Sequence, residues 1–277
     1  MAAAILAATV LTVIALQPTA LSSPEFVDLA TQASAMGSDV GARGPLYLWL
    51  LLGVHWGVGD VMLAGCALSV FGGVGCVVAS TRMFGPWAGL WVLAQLGVLQ
   101  ASTTPGPLIL AVMSLLFALY MAEEERGWST GVWLGFALSL GHWTWPVALV
   151  IAWLSGRRLV ALLSLIASLA LMHVFGIALE PPSFGWVGDA SFLMTALGSL
   201  MADVVILPSV LALIWGLFRG NRATRVLMVV AAVHLLSVTL IDGISRDLLF
   251  SHVVIILGVA AVETGPALLV VALYSLP

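Results

Sequence analysis

Lysine is absent from this sequence, and charged residues of all kinds make up only 8% of its 277 residues. Without a lysine the chain cannot form the Schiff base that holds retinal, so a retinal protein is excluded. The nine basic residues, all arginines, form no cluster of more than three in any loop, which argues against nucleic-acid binding. The G-x-x-x-x-G-K-[ST], G-x-S-x-G and H-E-x-x-H patterns are missing too, so nucleotide hydrolysis, serine hydrolysis and zinc proteolysis have no signature here.

Cysteine is almost as scarce. Cys66 and Cys76 lie in one apolar run, and in a helix they would be about 15 Å apart, too far to form a disulfide. Neither has a second cysteine or a histidine at the spacing of metal ligands. Both are therefore interpreted as small packing residues.

Apolar residues dominate what is present: 62% of the chain is hydrophobic, and the mean hydropathy is +1.16. This balance predicts an all-α, polytopic integral membrane protein, because a soluble domain carries far more charge. At roughly 20 apolar residues per span, the length predicts about nine to eleven transmembrane helices. Since no repeat or linker divides the chain, residues 1–277 are predicted to form a single transmembrane domain.

The distribution of arginines along the chain predicts which loops lie in the cytoplasm. The first apolar run has no arginine before it, which favours a retained span over a signal peptide. With the N-terminus in the cytoplasm, only Arg43 and Arg246 lie outside, which is a strong positive-inside bias. The cytoplasmic arginines are then Arg82, Arg126, Arg157, Arg158, Arg219, Arg222 and Arg225. The predicted spans are 2–17, 60–80, 86–102, 107–122, 129–142, 145–156, 159–178, 199–218, 225–241, 248–262 and 265–276.

The segment 18–57 is predicted to be an external loop with interfacial helices. Ser23 can cap a short amphipathic helix with Pro24 in its first turn, and the apolar stretch 44–57 contains Trp and Tyr residues suited to the membrane interface. In the span that follows, Gly65, Ser69 and Gly73 recur every four residues. This spacing predicts close packing against a neighbouring helix.

Two acids in the first external loop are the first candidate site. In a helix, Glu25 and Asp28 would share one side, where they could bind a divalent cation or deprotonate an acceptor hydroxyl. The alternative is that Glu25 only complements the helix N-terminus while Asp28 faces water. Neither a metal nor a cofactor can be assigned from the residues themselves.

Arg246 is the second candidate, because it lies outside against the general bias of the arginines. Its planar guanidinium could grip a lipid phosphate, and Arg43 has the same potential in a weaker context. The alternative for Arg246 is an ion pair with Asp242 or Asp247, its neighbours in the sequence.

Aromatic residues mark a third candidate. His142, Trp143 and Trp145 stand at an outer helix junction, where their rings could line a sugar or lipid site. The remaining histidines show no metal spacing, and an interfacial or packed neutral role is favoured for them. They are His55, His173, His234 and His252.

The order of elements resembles that of GT-C class glycosyltransferases of the protein mannosyltransferase and aminoarabinose transferase type. An acid-bearing loop is followed by Gly-Pro-Leu-Tyr-Leu-Trp-Leu-Leu-Leu, by Gly59-Asp60, and by a span ending Ala79-Ser-Thr-Arg-Met-Phe-Gly85. The family reads P-P-L-Y, G-D and R-x-F-G at these places. The stretches Trp128 to Leu140 and Ser245 to Ile256 resemble two later segments of the family.

The resemblance implies a GT-C-like scaffold in a bacterial inner membrane. It implies transfer of a sugar, with inversion, from a polyprenyl-phosphate donor to an acceptor on the external face. Glu25 or Asp28 would be the base or hold a divalent cation, and Arg246 would contact the donor phosphate, with Arg43 as a second phosphate ligand. The substrate groove would be lined by Tyr47, His142, Trp143 and Trp145.

Some features of the family are missing. The second external loop reads Ala101-Ser-Thr-Thr-Pro-Gly-Pro107, where an acid is usual, and the usual basic residue near 142–146 is replaced by His-Trp-Thr-Trp-Pro. The external C-terminal domain of many members is not found in this sequence. The alternative is therefore a non-catalytic GT-C-like membrane subunit that binds lipid or supports a larger membrane protein complex.

Overall fold

Helices account for all regular secondary structure in the computed structural model, which describes residues 2–15, 45–141, 144–177, 206–241 and 249–260. The predicted all-α class is therefore confirmed over these residues. The helices are α1 (Ala2–Ala15), α2 (Leu46–Val58), α3 (Val61–Phe84), α4 (Pro86–Leu93), α5 (Leu96–Thr103), α6 (Leu108–Glu123), α7 (Gly127–Leu140), α8 (Trp145–Leu154), α9 (Arg158–Val174), α10 (Ile206–Arg219), α11 (Arg222–Ile241) and α12 (Leu249–Ala260).

The lengths of these helices decide how many could cross a bilayer alone. Among the described helices, α3 is the one that is both long and apolar enough to do so. Helices α5 and α6 pass the same test only together, and their axes are bent by 120° at the short break between them. Several other apolar helices have only 10–17 residues. The predicted number of spans thus stays a prediction. Helices do form at the predicted apolar runs that the structure describes, and the run 265–276 lies outside the described residues.

One predicted span, 86–102, is wrong as a continuous helix. It is divided into α4 and α5 at Ala94 and Gln95, where Gln95 has an extended backbone with φ −71° and ψ 126°. The Gln95 side chain is only 3% exposed, so the break lies inside the protein. Its position could not be foreseen because neither glycine nor proline marks it, and these are the residues that usually interrupt a helix.

The turn between α2 and α3 explains the Gly59-Asp60 pair in local terms. Gly59 ends α2 with a left-handed backbone, φ 79°, which costs glycine little because it has no Cβ. Asp60 caps α3, since its Oδ1 accepts a hydrogen bond of 2.8 Å from the Leu63 amide. The two residues thus fold α2 back onto α3.

Helix α3 is central to its half of the protein and contacts α1, α2, α4, α5 and α6. A Cβ added to Gly73 would come within 2.8 Å of Leu11 in α1 and 2.7 Å of the Ser102 Cβ in α5. Ser69 donates a hydrogen bond of 3.0 Å to the Thr104 carbonyl after α5. The predicted close packing at Ser69 and Gly73 is therefore confirmed.

A second glycine stripe joins α7 to α9. Gly127, Gly131 and Gly135 recur every four residues, and each faces α9 at close range. A Cβ on Gly131 would lie 2.6 Å from both the Ser164 Cβ and the Leu165 amide nitrogen. The same approach lets the Ser164 hydroxyl donate a 2.8 Å hydrogen bond to the Trp128 carbonyl. Small residues thus permit backbone contact that larger ones would prevent.

Five buried serines satisfy their hydroxyl groups within their own helices. Ser80, Ser102, Ser114, Ser139 and Ser237 each donate to the carbonyl four residues earlier, at 2.6–2.9 Å. This bond removes the cost of placing an unpaired hydroxyl in an apolar interior. These polar residues are therefore compatible with the surrounding Leu, Val and Ala side chains.

One end of the helix assembly carries arginines. Gly127, next to Arg126, packs against Arg157, since an added Cβ would be 3.1 Å from the Arg157 Cβ. Residue Gly156 likewise lies against Glu125. Arg158 is placed over the Trp153 ring, 5.0 Å from its centroid. Three tryptophans near this end are strongly exposed: Trp87 (69%), Trp128 (65%) and Trp153 (64%).

Apolar side chains cover much of the outer surface. On α9, the face away from α7 exposes Leu159, Leu163 and Ile166 by 62–72%. The opposite face of α9 buries Ala161, Ser164 and Leu165 against the rest of the protein. Apolar patches of this kind mark surfaces that contact a membrane, a ligand or another protein.

Candidate functional site

Most of the residues predicted to form the site lie outside the described residues. The structure describes only Tyr47 and Trp145 among them. The others are Glu25, Asp28, Arg43, His142, Trp143 and Arg246. The proposed base, phosphate ligands and divalent cation site therefore stay predictions.

Tyr47 lies in the first turn of α2 and is 1% exposed. It is close to Cys66 of α3 and to the backbone of Gly106 in the turn before α6. Leu46, Leu48 and Leu51 of α2 are also buried, whereas Trp56 near the other end of this helix is 85% exposed. Tyr47 is thus a packed residue in the described fold, and its part in a substrate groove stays a prediction.

Trp145 begins α8, next to the predicted aromatic junction. Thr144, the residue before Trp145, is held in place because its hydroxyl donates a 2.7 Å hydrogen bond to the Gly141 carbonyl. Trp145 is partly buried, and its Nε1 atom is buried with no acceptor among the described residues.

The described carboxylates form no cation site. Asp60 is engaged as the cap of α3, and Glu123, Glu124 and Glu125 belong to the arginine end. No group of three or more His, Cys, Asp or Glu side chains suited to a metal occurs among the described residues. A metal site in the described part of the chain is thus unsupported.

His234 has the packed role favoured for it. Its side chain is 0% exposed, and Nδ1 shares a hydrogen bond with the Ser251 hydroxyl, which joins α11 to α12. The ring also meets Phe250 edge to face, with centroids 5.2 Å apart. The histidine therefore acts as a polar link between two apolar helices.

A groove at the arginine end was not foreseen from the sequence. It has a volume of about 330 Å³ and lies between the end of α8 and the turn joining α10 to α11. Its volume is within the roughly 300–1,000 Å³ typical of small-ligand sites. It is lined by Leu154, Gly220, Asn221, Arg222, Arg225, Val226 and Val229.

Local hydrogen bonds hold the groove in shape. The Asn221 Oδ1 accepts from the Thr224 amide at 2.8 Å and so caps α11. The Arg225 Nε donates to the Gly220 carbonyl at 3.0 Å, which fixes the guanidinium beside the turn. Both Arg222 and Arg225 are exposed, so their remaining N–H groups are accessible to a ligand.

The sequence did contain a signal for this groove. Arg222, Arg225, Val226 and Val229 follow the i, i+3, i+4, i+7 pattern and therefore share one face of α11. The arginines were interpreted only as markers of topology. The contribution of Leu154 from α8 could not be foreseen, because 68 or more residues separate it from the arginines along the chain.

Comparisons with family models, with curated proteins and with solved structures returned no match. The motif pieces that carry the resemblance to GT-C glycosyltransferases have local explanations where they are described. Gly59-Asp60 forms the turn before α3, and Gly85, with φ 88°, connects α3 to α4. These glycines need their backbone conformations whatever the function of the chain.

Proposed function

We propose that the chain is a polytopic integral membrane protein whose arginine end faces the cytoplasm. The observation that carries this proposal is the exposure of Trp87, Trp128 and Trp153 close to the arginines. Tryptophan prefers the membrane–water interface, and arginine is enriched in cytoplasmic loops. The apolar surface of α9 suits contact with lipid tails better than contact with water. The short helices would cross the bilayer as paired or broken elements.

The external face then holds the proposed chemistry. Its segments include the loop with Glu25 and Asp28, the loop with Arg246, and the α8 start at Trp145. We propose that the protein transfers a sugar there from a polyprenyl-phosphate donor to an acceptor. One loop acid would remove the acceptor proton, and Arg246 with Arg43 would hold the donor phosphate. The support for this step is the sequence resemblance.

The orientation can be tested with single cysteines at opposite ends. Gly57→Cys and Glu124→Cys both lie on exposed positions, whereas Cys66 and Cys76 are buried. A membrane-impermeant thiol reagent added outside intact cells is expected to label the first variant alone. Labelling of both variants only after lysis, or of the second from outside, contradicts the proposed orientation.

Catalysis is tested with Glu25→Gln and Asp28→Asn, which remove a charge but keep the size of the side chain. Loss of one cellular glycan at normal protein abundance is expected for the variant that removes the base. Asp39→Asn in the same loop is the matched control. An unchanged glycan profile in both acid variants rejects the transferase.

The described residues also favour a second function, that of a non-catalytic lipid-binding membrane subunit. Asp60 already caps α3, and the second-loop segment contributes backbone and hydroxyl groups instead of an acid. Native mass spectrometry after mild detergent extraction separates the two. A polyprenyl phosphate on a lone chain supports the transferase, whereas stoichiometric protein partners without that lipid support the subunit.

A further inference from the structure

The basic groove at the arginine end has two chemically different parts. Arg222 and Arg225 lie in the first turn of α11, and Val226 and Val229 follow on the same face. Leu154 of α8 also lines the groove. A ligand that fits both parts has a negative head and an apolar tail.

Among the described residues, no carboxylate forms an ion pair with the arginines of the groove. Arg219, Arg222 and Arg225 occur within seven residues, and no acid lies between Asp203 and Asp242 in the sequence. Guanidinium groups bind phosphate oxygens through charge-assisted hydrogen bonds, so a phosphate is the complementary anion.

The apolar part of the groove favours a lipid, which has an acyl chain, over a free anion. Val229 is 41% exposed and Leu154 is 42% exposed, so both offer apolar surface beside the arginines. Exposed Trp153, which carries Arg158 over its ring, stands next to Leu154 in the sequence. Headgroups of anionic lipids collect at basic pockets between helices on the cytoplasmic side of a membrane.

We propose that this groove binds the phosphate of an anionic phospholipid from the cytoplasmic leaflet, with Arg222 and Arg225 on the phosphate and Val226, Val229 and Leu154 along the acyl chain. The inference rests on the proposed membrane insertion and orientation. The site lies at the end opposite to the proposed sugar transfer. It is therefore independent of whether the chain is an enzyme.

The test uses the purified full-length protein in a neutral detergent, with short-chain phosphatidylglycerol and phosphatidylcholine as probes. Native mass spectrometry gives the dissociation constant of each lipid. Phosphatidylglycerol is expected to bind more tightly. Arg222→Gln should weaken that binding about fivefold, and Arg222→Gln with Arg225→Gln about thirtyfold, since each arginine near an anionic surface contributes on that scale.

Arg82→Gln with Arg126→Gln is the matched control, because it removes the same charge from exposed positions at the same end but outside the groove. It is expected to leave phosphatidylglycerol binding within about twofold of the wild type. An equal loss in the control pair, or equal binding of the two lipids by the wild type, overturns the proposal. The single variant Arg222→Gln leaves the Arg225 to Gly220 hydrogen bond in place, so it keeps the test valid if the double variant unfolds.

Inorganic phosphate separates a lipid site from a site for a free anion. Inorganic phosphate is added at the concentration at which phosphatidylglycerol saturates the groove. It is expected neither to bind the groove nor to displace phosphatidylglycerol from it. Competition at equal concentration would overturn the lipid assignment. The cysteine-labelling experiment reports the orientation separately, so a failure of the membrane proposal can be told from a failure of this site.

Discussion

Gly131→Ala tests the glycine contact between α7 and α9. The new Cβ would lie 2.6 Å from the Ser164 Cβ and from the Leu165 amide nitrogen, whereas carbon atoms in contact are about 3.5–4.0 Å apart. The helices must therefore separate by roughly 1 Å. Overpacking of this kind costs about 1–3 kcal/mol. The separation also stretches the hydrogen bond from Ser164 to the Trp128 carbonyl, which contributes about 1 kcal/mol.

The expected loss in the free energy of unfolding is about 2–4 kcal/mol. For a chain of this size this lowers the midpoint of thermal unfolding by roughly 5–15 °C. The buried thiols of Cys66 and Cys76 offer the assay, because a thiol-reactive fluorescent dye reacts with them as the protein unfolds in detergent. Labelling is followed during a temperature ramp.

Gly53→Ala is the matched control for this experiment. Gly53 is also helical, but nothing lies within 4 Å of the position of its new Cβ. Alanine has the higher helix propensity, so this variant is expected to gain about 0.5–1 kcal/mol. If Gly131→Ala unfolds at the same temperature as the wild type, the close backbone contact between α7 and α9 is refuted.

Two further substitutions probe helix contacts and caps with the same thermal assay. Gly75→Ala places its Cβ against the flexible Met113 side chain, which can move aside, so the expected loss is about 1 kcal/mol and smaller than for Gly131→Ala. An equal or larger loss would show that Met113 cannot rearrange. Asp60→Ala removes the cap on the Leu63 amide and should cost about 1 kcal/mol, whereas Asp60→Asn should keep most of the stability. An Asp60→Ala variant that unfolds at the wild-type temperature would show that the cap contributes nothing.

Features encoded locally could be predicted from the sequence. Apolar runs predicted the positions of described helices. The four-residue spacing of Ser69 and Gly73 predicted a helix contact that the structure contains. Such patterns work because they repeat with the period of the helix itself. The break at Gln95 could not be predicted, since it depends on how α4 and α5 pack and not on a local breaker.

In the candidate sites too, local features could be predicted from the sequence, whereas contacts between distant elements could not. The arginines near residue 222 were visible in the sequence, but the groove needs Leu154 from a distant helix and could be found only in the fold. Tyr47 is likewise buried close to Cys66 and Gly106, which lie on other elements. The catalytic role of Glu25 and Asp28 stays a prediction, which the glycan experiment tests.

The serine hydroxyls that bond within their own helices bear on how the protein is made. A helix leaving the ribosome enters the bilayer before its later neighbours exist, so a polar group that depends on another helix would wait unpaired in hydrocarbon. The hydroxyl groups of Ser80, Ser114 and Ser139 donate to backbone carbonyls on the preceding turn of the same helix. In the proposed membrane protein, these three serines therefore need no later helix to satisfy their hydroxyl groups. His234 and Ser69 are different. The bond of His234 to Ser251 forms only after α12 has been made, and the Ser69 hydroxyl donates to the Thr104 carbonyl, which follows α5.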